Sequence, residues 1–237
     1  MKLNILSFKT IPSTNLYLKE NYESLHNHTV CIAENQTQGR GRLGRAWQDS
    51  KGSALFSILI KDYVSDATFI PLVCGYAIIE VLKKHINNLE VKWPNDIICN
   101  SKKLAGILVE SVVTNKIEAI IIGIGININN SSFSEEIKDI ATSMVNETNT
   151  EYDINLIIND ITKLIITTLS NLNKATIIEY LNNVLWIKDK VVSFTYKGIS
   201  STGKVIKINE DGSLKITTET GEFDVFSGEV TLTNNYK

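Results

Sequence analysis

Gln36-Thr37-Gln38-Gly39-Arg40-Gly41-Arg42-Leu43-Gly44-Arg45-Ala46-Trp47 alternates three arginines with three glycines and ends on an indole. Glycine lets a backbone approach a ligand closely and take positive φ. Arginine presents a planar fork of donors shaped for carboxylates and phosphates. Like charges packed on one loop repel, so the pattern predicts a loop that an anion orders. The plain alternative is a solvated basic loop with weak nucleic-acid contacts. Residues 39–44 also satisfy GxGxxG, but a dinucleotide fold needs that motif to open a helix, with an acidic residue about 20 positions on. The turn-like Trp47-Gln48-Asp49-Ser50-Lys51-Gly52 follows instead, which excludes that fold. A near P-loop at 198–205 fails too, because Val205 stands after Lys204 where Ser or Thr would bind magnesium.

Working outward, residues 29–33 form a β-branched run that reads as a buried strand leading into the loop. Ser13, ahead of Thr14-Asn15-Leu16, reads as a hydroxyl cap on a helix. Downstream, 54–60 reads as a strand, and 66–86 as a helix with Ile70, Val73, Ala77, Val81 and Leu82 at helical spacing. Strands are expected over 89–93, 97–99, 106–113 and 119–127, and helices over 135–144, 153–172 and 176–185. The middle helix has Ile157, Ile161, Leu164, Ile165, Thr168, Leu169 and Leu172 on one face. After Trp186 the pattern changes to short β-rich runs at 191–196, 203–208, 213–218 and 222–226. Lys197-Gly198, Asp211-Gly212 and Thr220-Gly221 turn between them. Closely spaced strands without a helix predict a small barrel after a domain boundary near residue 187.

Composition narrows the class. The 237 residues are 43% hydrophobic, enough for a sizeable core. Basic residues number 24 and acidic residues 26, a balance that argues against a dedicated nucleic-acid binder or a basic membrane-surface protein. Cys31, Cys74 and Cys99 are widely spaced and form no CxxC pair, which fits a reducing cytosol. The first nine residues lack the apolar core and cleavage site of a signal peptide. The longest apolar run, 117–128, is interrupted by Glu118 and two glycines and falls short of the roughly 20 residues that span a bilayer. A cytoplasmic location is expected.

Three further stretches carry chemistry. In Lys92-Trp93-Pro94-Asn95-Asp96-Ile97 a strand ends at Trp-Pro and Asn-Asp occupies the turn. Lysine is a compact cation for a phosphate, and a turn aspartate suits hydrated Mg²⁺; the alternative is an ordinary turn. In Lys102-Lys103-Leu104-Ala105-Gly106-Ile107-Leu108-Val109-Glu110, Lys103 precedes an apolar strand and Gly106 leaves room for a ligand; the alternative is a surface lysine pair in a hairpin. In Gly123-Ile124-Gly125-Ile126-Asn127, two glycines inside a buried strand suggest close approach by a ligand or a neighbour. Asn127 would then face a ribose or phosphate; the alternative is a tightly packed strand. His26 and His28 in a surface loop and His85 at a helix end read as structural or solvated, so no histidine fits as a general base.

Taken together and in this order, GRGRLGRAW at 39–47, KWPND at 92–96, KLAGILVE at 103–110 and GIGININ at 123–129 resemble the biotin–protein ligase family. By motif the resemblance runs from about Ser13 through Met144, and by organisation to the C-terminus. It implies an α+β fold, a mixed β-sheet with packed helices of the class II synthetase-like type, over residues 1–186. A small SH3-like β-barrel would occupy 187–237. It also implies a ligase that makes biotinyl-5′-AMP and pyrophosphate from biotin and ATP. The enzyme would then transfer biotin to a lysine of a biotin carboxyl carrier protein and release AMP. A lipoate or octanoate ligase or transferase of the same fold is the alternative.

By motif match, Ser13, Thr14, Asn15, Gln36, Arg40, Gly41, Arg42, Lys103 and Gly106 would bind biotin. Arg45, Trp47, Lys92, Asn95, Asp96 and Asn127 would bind ATP. Arg42, Lys92 and Lys103 would be catalytic, and Asp96 would hold Mg²⁺. Some family members carry an N-terminal DNA-binding domain; only 12 residues precede Ser13 here, so DNA binding by that route is not expected. Family members are monomers or homodimers, and a membrane partner is not expected.

Overall fold

The computed structural model describes residues 3–48, 51–61, 63, 66–196 and 198–226. The Asp49-Ser50 part of the turn after the arginine–glycine loop, Lys197 and residues 227–237 lie outside them. The first element is a strand the apolar pattern does not announce, β1 (Asn4–Ile11). It pairs parallel with β2 (Thr29–Gln36) at one edge of the sheet, and most of its residues are exposed. An edge strand with a solvated face needs no apolar run, so only its partner reads as a strand. Between them runs α1 (Thr14–Asn21), whose expected cap is formed: Ser13 Oγ accepts from the Leu16 N–H at 3.4 Å.

β3 (Ser53–Lys61) is buried along nearly its whole length, flanked by β2 and β7 (Ile117–Asn127), both antiparallel to it. β4 (Leu89–Lys92), β5 (Asp96–Cys99) and β6 (Lys102–Val113) complete a mixed sheet in the order β1-β2-β3-β7-β6-β5-β4. β6 starts earlier than its apolar run, so Lys103 sits inside the strand opposite Ile98. Alternate side chains point to opposite faces. On one face Leu59, Cys31, Ala119 and Ile121 pack under Leu18 of α1. On the other, Phe56, Ile58 and Ile60 join the main core beneath α2 (Ile70–Leu82), α4 (Ile154–Ser170) and α5 (Lys174–Asn183). Ile157, Ile161 and Ile165 of α4 are buried as expected, and Ile158, Thr162 and Ile166 are buried beside them.

Two helix readings are corrected. The stretch 66–86 divides into a 3-10 turn, Ala67–Phe69 capped by Asp66, followed by α2. The helix expected over 135–144 is absent: residues 135–140 are turns, and α3 (Met144–Thr148) starts only after Ser143 caps it. The reason lies in β6: Lys103 donates its N–H to the Ile140 carbonyl at 2.8 Å, and the Thr142 N–H donates to the Lys103 carbonyl at 3.0 Å. Backbone groups that a helix would use are committed to the strand.

β8 (Val191–Tyr196), β9 (Ile199–Ile208), β10 (Leu214–Thr218) and β11 (Gly221–Val225) form a second, antiparallel sheet in the order β11-β10-β9-β8. It is tied to the first near the KWPND turn. Val91 of β4 donates its N–H to the Val184 carbonyl at 2.8 Å and accepts from the Trp186 N–H at 2.9 Å. The Trp93 indole N–H donates to the Gly212 carbonyl at 3.0 Å. Gly212 makes its turn at φ +87°, which favours glycine.

The three cysteines are free and buried, and burial pushes Cys31 and Cys99 up to about 12 and raises Cys74 as well. Among the described residues no helix is long and apolar enough to cross a membrane. Trp93→Phe deletes the inter-sheet hydrogen bond and leaves a cavity where the larger indole was buried, so urea melts should show a loss of about 2–4 kcal/mol.

Candidate functional site

The strands converge on one cleft. It is lined by Ser13, Thr14 and Asn15 at the start of α1, Gln36 at the end of β2, and Arg40, Gly41, Arg42 and Trp47 of the loop. Asn95, Asp96, Lys103 and Gly106 close the opposite side, and Leu55, Phe56, Ile107, Leu108 and Ile124 line it with Gly123 and Gly125. Residues spread over more than ninety positions of sequence are thus brought together by the sheet order.

The arginine–glycine loop folds as a short hairpin. Arg40 bridges Ala46, the Gly41 N–H donates to the Arg45 carbonyl at 2.7 Å, and the Trp47 N–H donates to the Gly39 carbonyl at 3.0 Å. A 3-10 turn, Arg42–Gly44, forms the tip, with Leu43 at φ 56° and 76% exposed. The hairpin lays the Trp47 indole over Gly106 and Gly125, which are cross-strand partners of β6 and β7. A Cβ at Gly106 would lie 2.9 Å from the ring, and one at Gly125 2.7 Å. Among the described residues the buried Trp47 Nε1 finds no hydrogen-bond partner. The two strand glycines therefore make room for an indole.

Four cations gather at the mouth. Arg42 donates to Asn95 Oδ1 at 2.7 Å, and Lys103 Nζ pairs with Asp96 Oδ1 at 2.9 Å while lying 5.5 Å from the Trp47 ring centroid. Asn95 in turn donates to Asp96 Oδ1 at 2.9 Å. Arg45 and Lys92 line the adjoining outer depression with Trp93, Asn95, Asp96 and Lys103. Burial pulls Lys92 below the usual lysine range; Asp96 opposes that shift, and Lys103 and Arg45 add to it. Arg42 is lowered for the same first reason, with Asp96 opposing and Arg45 adding. A group whose charge is thus disfavoured gains most when an anion arrives.

The inner end of the cleft is a buried polar chain. Gln36 Oε1 accepts from the Thr14 N–H at 2.7 Å and from Thr14 Oγ1 at 3.1 Å. Asn15 Nδ2 donates to Glu110 Oε2 at 2.8 Å, and Lys19 pairs with Glu110 Oε1 at 3.3 Å. Ser57, fully buried on β3, donates to Thr14 Oγ1 at 2.7 Å and to Asn15 Oδ1 at 2.6 Å. The motif reading contains no role for Ser57. A serine within the apolar run 54–60 reads as a strand residue, and only the register, Ser57 opposite Gly123, brings it to the site. Glu110 was visible as the end of KLAGILVE, but its partners were not.

Of the expected site residues, Asn127 stands apart. It ends β7, its side-chain amide donates to the Thr142 carbonyl at 3.0 Å, and it is not among the lining residues of either depression. Asn15 also turns inward, and a Cβ at Gly123 would fall 2.2 Å from its Oδ1.

Residues 7–127 match the model of the biotin/lipoate A/B protein ligase family. The bifunctional ligase/repressor BirA of Escherichia coli is 41% identical over 122 residues, 49% of this chain and 38% of that protein. Its namesake in Bacillus spizizenii is 38% identical over 123 residues, with the same coverage of 49% and 38%. The matched stretch thus spans well under half the length of these relatives. Among solved structures, a biotin protein ligase from Aquifex aeolicus in complex with biotin and ATP superposes with a TM-score of 0.86. The two are 31% identical, covering 98% of this chain and 99% of that one. Gly125→Ala should expel the indole, seen as a red shift in tryptophan emission, and cost about 1–3 kcal/mol in a urea melt.

Proposed function

Because the chain belongs to the biotin/lipoate A/B protein ligase family, we propose that it activates biotin with ATP and passes it to a lysine of a carrier protein. One observation carries this reading: Arg42, Lys92 and Lys103 converge on the Asn95–Asp96 turn at the mouth of a cleft whose inner end is polar. A carboxylate that attacks the α-phosphate of ATP brings two anions together, and cations fixed beforehand at that point offset the repulsion as charge builds in the transition state. In our assignment Thr14, Gln36 and the Arg40–Arg42 backbone hold the biotin ring system, and Gly106 lines its pocket beneath the Trp47 ring. Lys103 and Arg42 meet its carboxylate. Lys92, Arg45 and Asn95 take the triphosphate, and Trp47 takes the adenine side. Asn127 keeps its expected place near the phosphates only if its amide leaves Thr142.

The first step forms the C–O–P bond of biotinyl-5′-AMP and breaks the bond to pyrophosphate. In the second, the carrier lysine nitrogen attacks the acyl carbon, Lys103 stabilises the carbonyl oxygen, and AMP leaves. Under the arginine–glycine hairpin the mixed anhydride is shielded from water.

Asp96 is the carboxylate at the cationic mouth, beside Lys92, Arg45 and Asn95. That suits Mg²⁺, which takes one or two carboxylates plus substrate phosphates. When bound, it would add charge neutralisation at the phosphates. We read residues 1–186 as the catalytic domain and the C-terminal sheet as the start of an SH3-like barrel. Its proximity to the KWPND turn supports a role beside ATP.

Incubation of the chain with ATP, biotin and a carrier domain should label one carrier lysine and release pyrophosphate with biotin but not with lipoate. An unlabelled carrier would sink the reading. Arg42→Ala should form adenylate more slowly and lose it to solvent, measured as free biotinyl-AMP. ATP affinity should weaken with rising pH before 10.5, the ordinary lysine value, because Lys92 loses its proton earlier than a solvated lysine. Lys92→Arg should move that loss to higher pH in a calorimetric titration series, since guanidinium stays charged.

A further inference from the structure

We propose that Ser57 is a positioning residue that sets which ligand the inner end of the cleft accepts. The inference rests on the biotin reading above and assigns a residue that no motif contains.

The argument is one of proton accounting. A hydroxyl has one proton to give and two lone pairs to receive with. Thr14 gives its hydroxyl proton to Gln36 Oε1 at 3.1 Å, and its backbone N–H goes to the same oxygen at 2.7 Å. Neither Thr14 proton is left for a ligand. Ser57 lies 2.7 Å from Thr14 Oγ1, where its proton fills one lone pair and leaves the other. Thr14 Oγ1 therefore faces the cleft as an acceptor, and the ligand group it suits is an N–H donor.

The direction of the chain is fixed from its far end. Glu110 can only accept, so Asn15 turns its Nδ2 to that carboxylate at 2.8 Å and its Oδ1 to Ser57 at 2.6 Å. Lys19 pairs with the other oxygen of Glu110, Oε1, at 3.3 Å. A single Ser57 proton is thus shared between two oxygens, one of them on the residue that meets the ligand. Ser57, Thr14 and Asn15 are all buried, so water does not replace a lost partner without cost. Gly123, opposite Ser57 on β7, leaves the space in which Asn15 Oδ1 sits.

A ureido ring offers N–H donors, and the dithiolane of lipoate or the alkyl chain of octanoate offers none. In Ser57→Ala Thr14 Oγ1 and Asn15 Oδ1 both lose their donor, and the link that holds the Thr14 hydroxyl between Ser57 and Gln36 is broken. The fixed polarity of that hydroxyl toward the ligand is lost.

The test is calorimetric titration of the chain and its Ser57→Ala variant with biotin, with an N-methylated biotin that lacks the ureido donor, and with ATP. For Ser57→Ala the biotin Kd should rise roughly ten- to a hundredfold. The Kd for the N-methylated analogue and for ATP should stay at the wild-type value. Ser57→Cys, close in size and a weak donor, should fall between. In steady state the change should appear in KM for biotin with kcat retained.

Wild-type affinity for biotin in Ser57→Ala would overturn the proposal. So would an equal loss for biotin, its analogue and ATP, which marks a general packing defect. If Ser57→Ala does not fold, Ser57→Cys decides on the same three ligands. Wild-type protein that gives no heat with biotin would instead overturn the functional reading, and this inference with it.

Discussion

Like charges repel by about 4 kcal/mol at ~4 Å in a medium of effective dielectric 20, yet Arg42, Arg45, Lys92 and Lys103 are gathered at one cleft mouth. Asp96 makes this possible. It pairs with Lys103, takes a hydrogen bond from Asn95, and is the group whose charge opposes the downward shifts of both Lys92 and Arg42. The turn that presents it is therefore under constraint from several directions. Asn95 is pinned by Arg42 and by its own backbone bond from Ile107, and Trp93 is pinned by the second sheet. Among the described residues that line this depression, Asp96 is the acidic side chain beside those four cations.

The sheet order supplies the geometry. Strands that are distant in sequence, β3, β6 and β7, lie side by side, so Ser57, Gly123 and Leu108 share one register line and Leu55, Gly125 and Gly106 the next. Small residues at crossing points give depth to a surface that is otherwise covered by isoleucine. The indole and the asparagine that fill those gaps come from the loop and from α1, so the cleft is built only when all three layers are assembled.

Much of this was legible in the sequence, because residues that meet a ligand form short local motifs. GRGRLGRAW, KWPND and KLAGILVE each travel as a unit, and the fold places nearly all of their marked residues on one cleft. What was not legible depends on partners across strands. Ser57 looks like any strand serine until the register places it beside Thr14 and Asn15. β1 lacks an apolar run because it is a sheet edge, and Ile140 and Thr142 give backbone groups to Lys103 rather than to a helix. Asn127 belongs to a readable motif, yet its amide is spent on Thr142. Composition and periodicity record burial, whereas these features record pairing.

The state of the cysteines bears on chemical self-compatibility. A mixed acyl–phosphate anhydride acylates any thiolate within reach, and the thiolate is the reactive form of cysteine. Cys31, Cys74 and Cys99 are all buried, two of them with pKa values near 12. On the reading proposed here, a protein that shelters such an anhydride long enough to hand it on keeps its own sulfur nucleophiles protonated and walled off. Its acyl group is then spent on the partner and not on the catalyst.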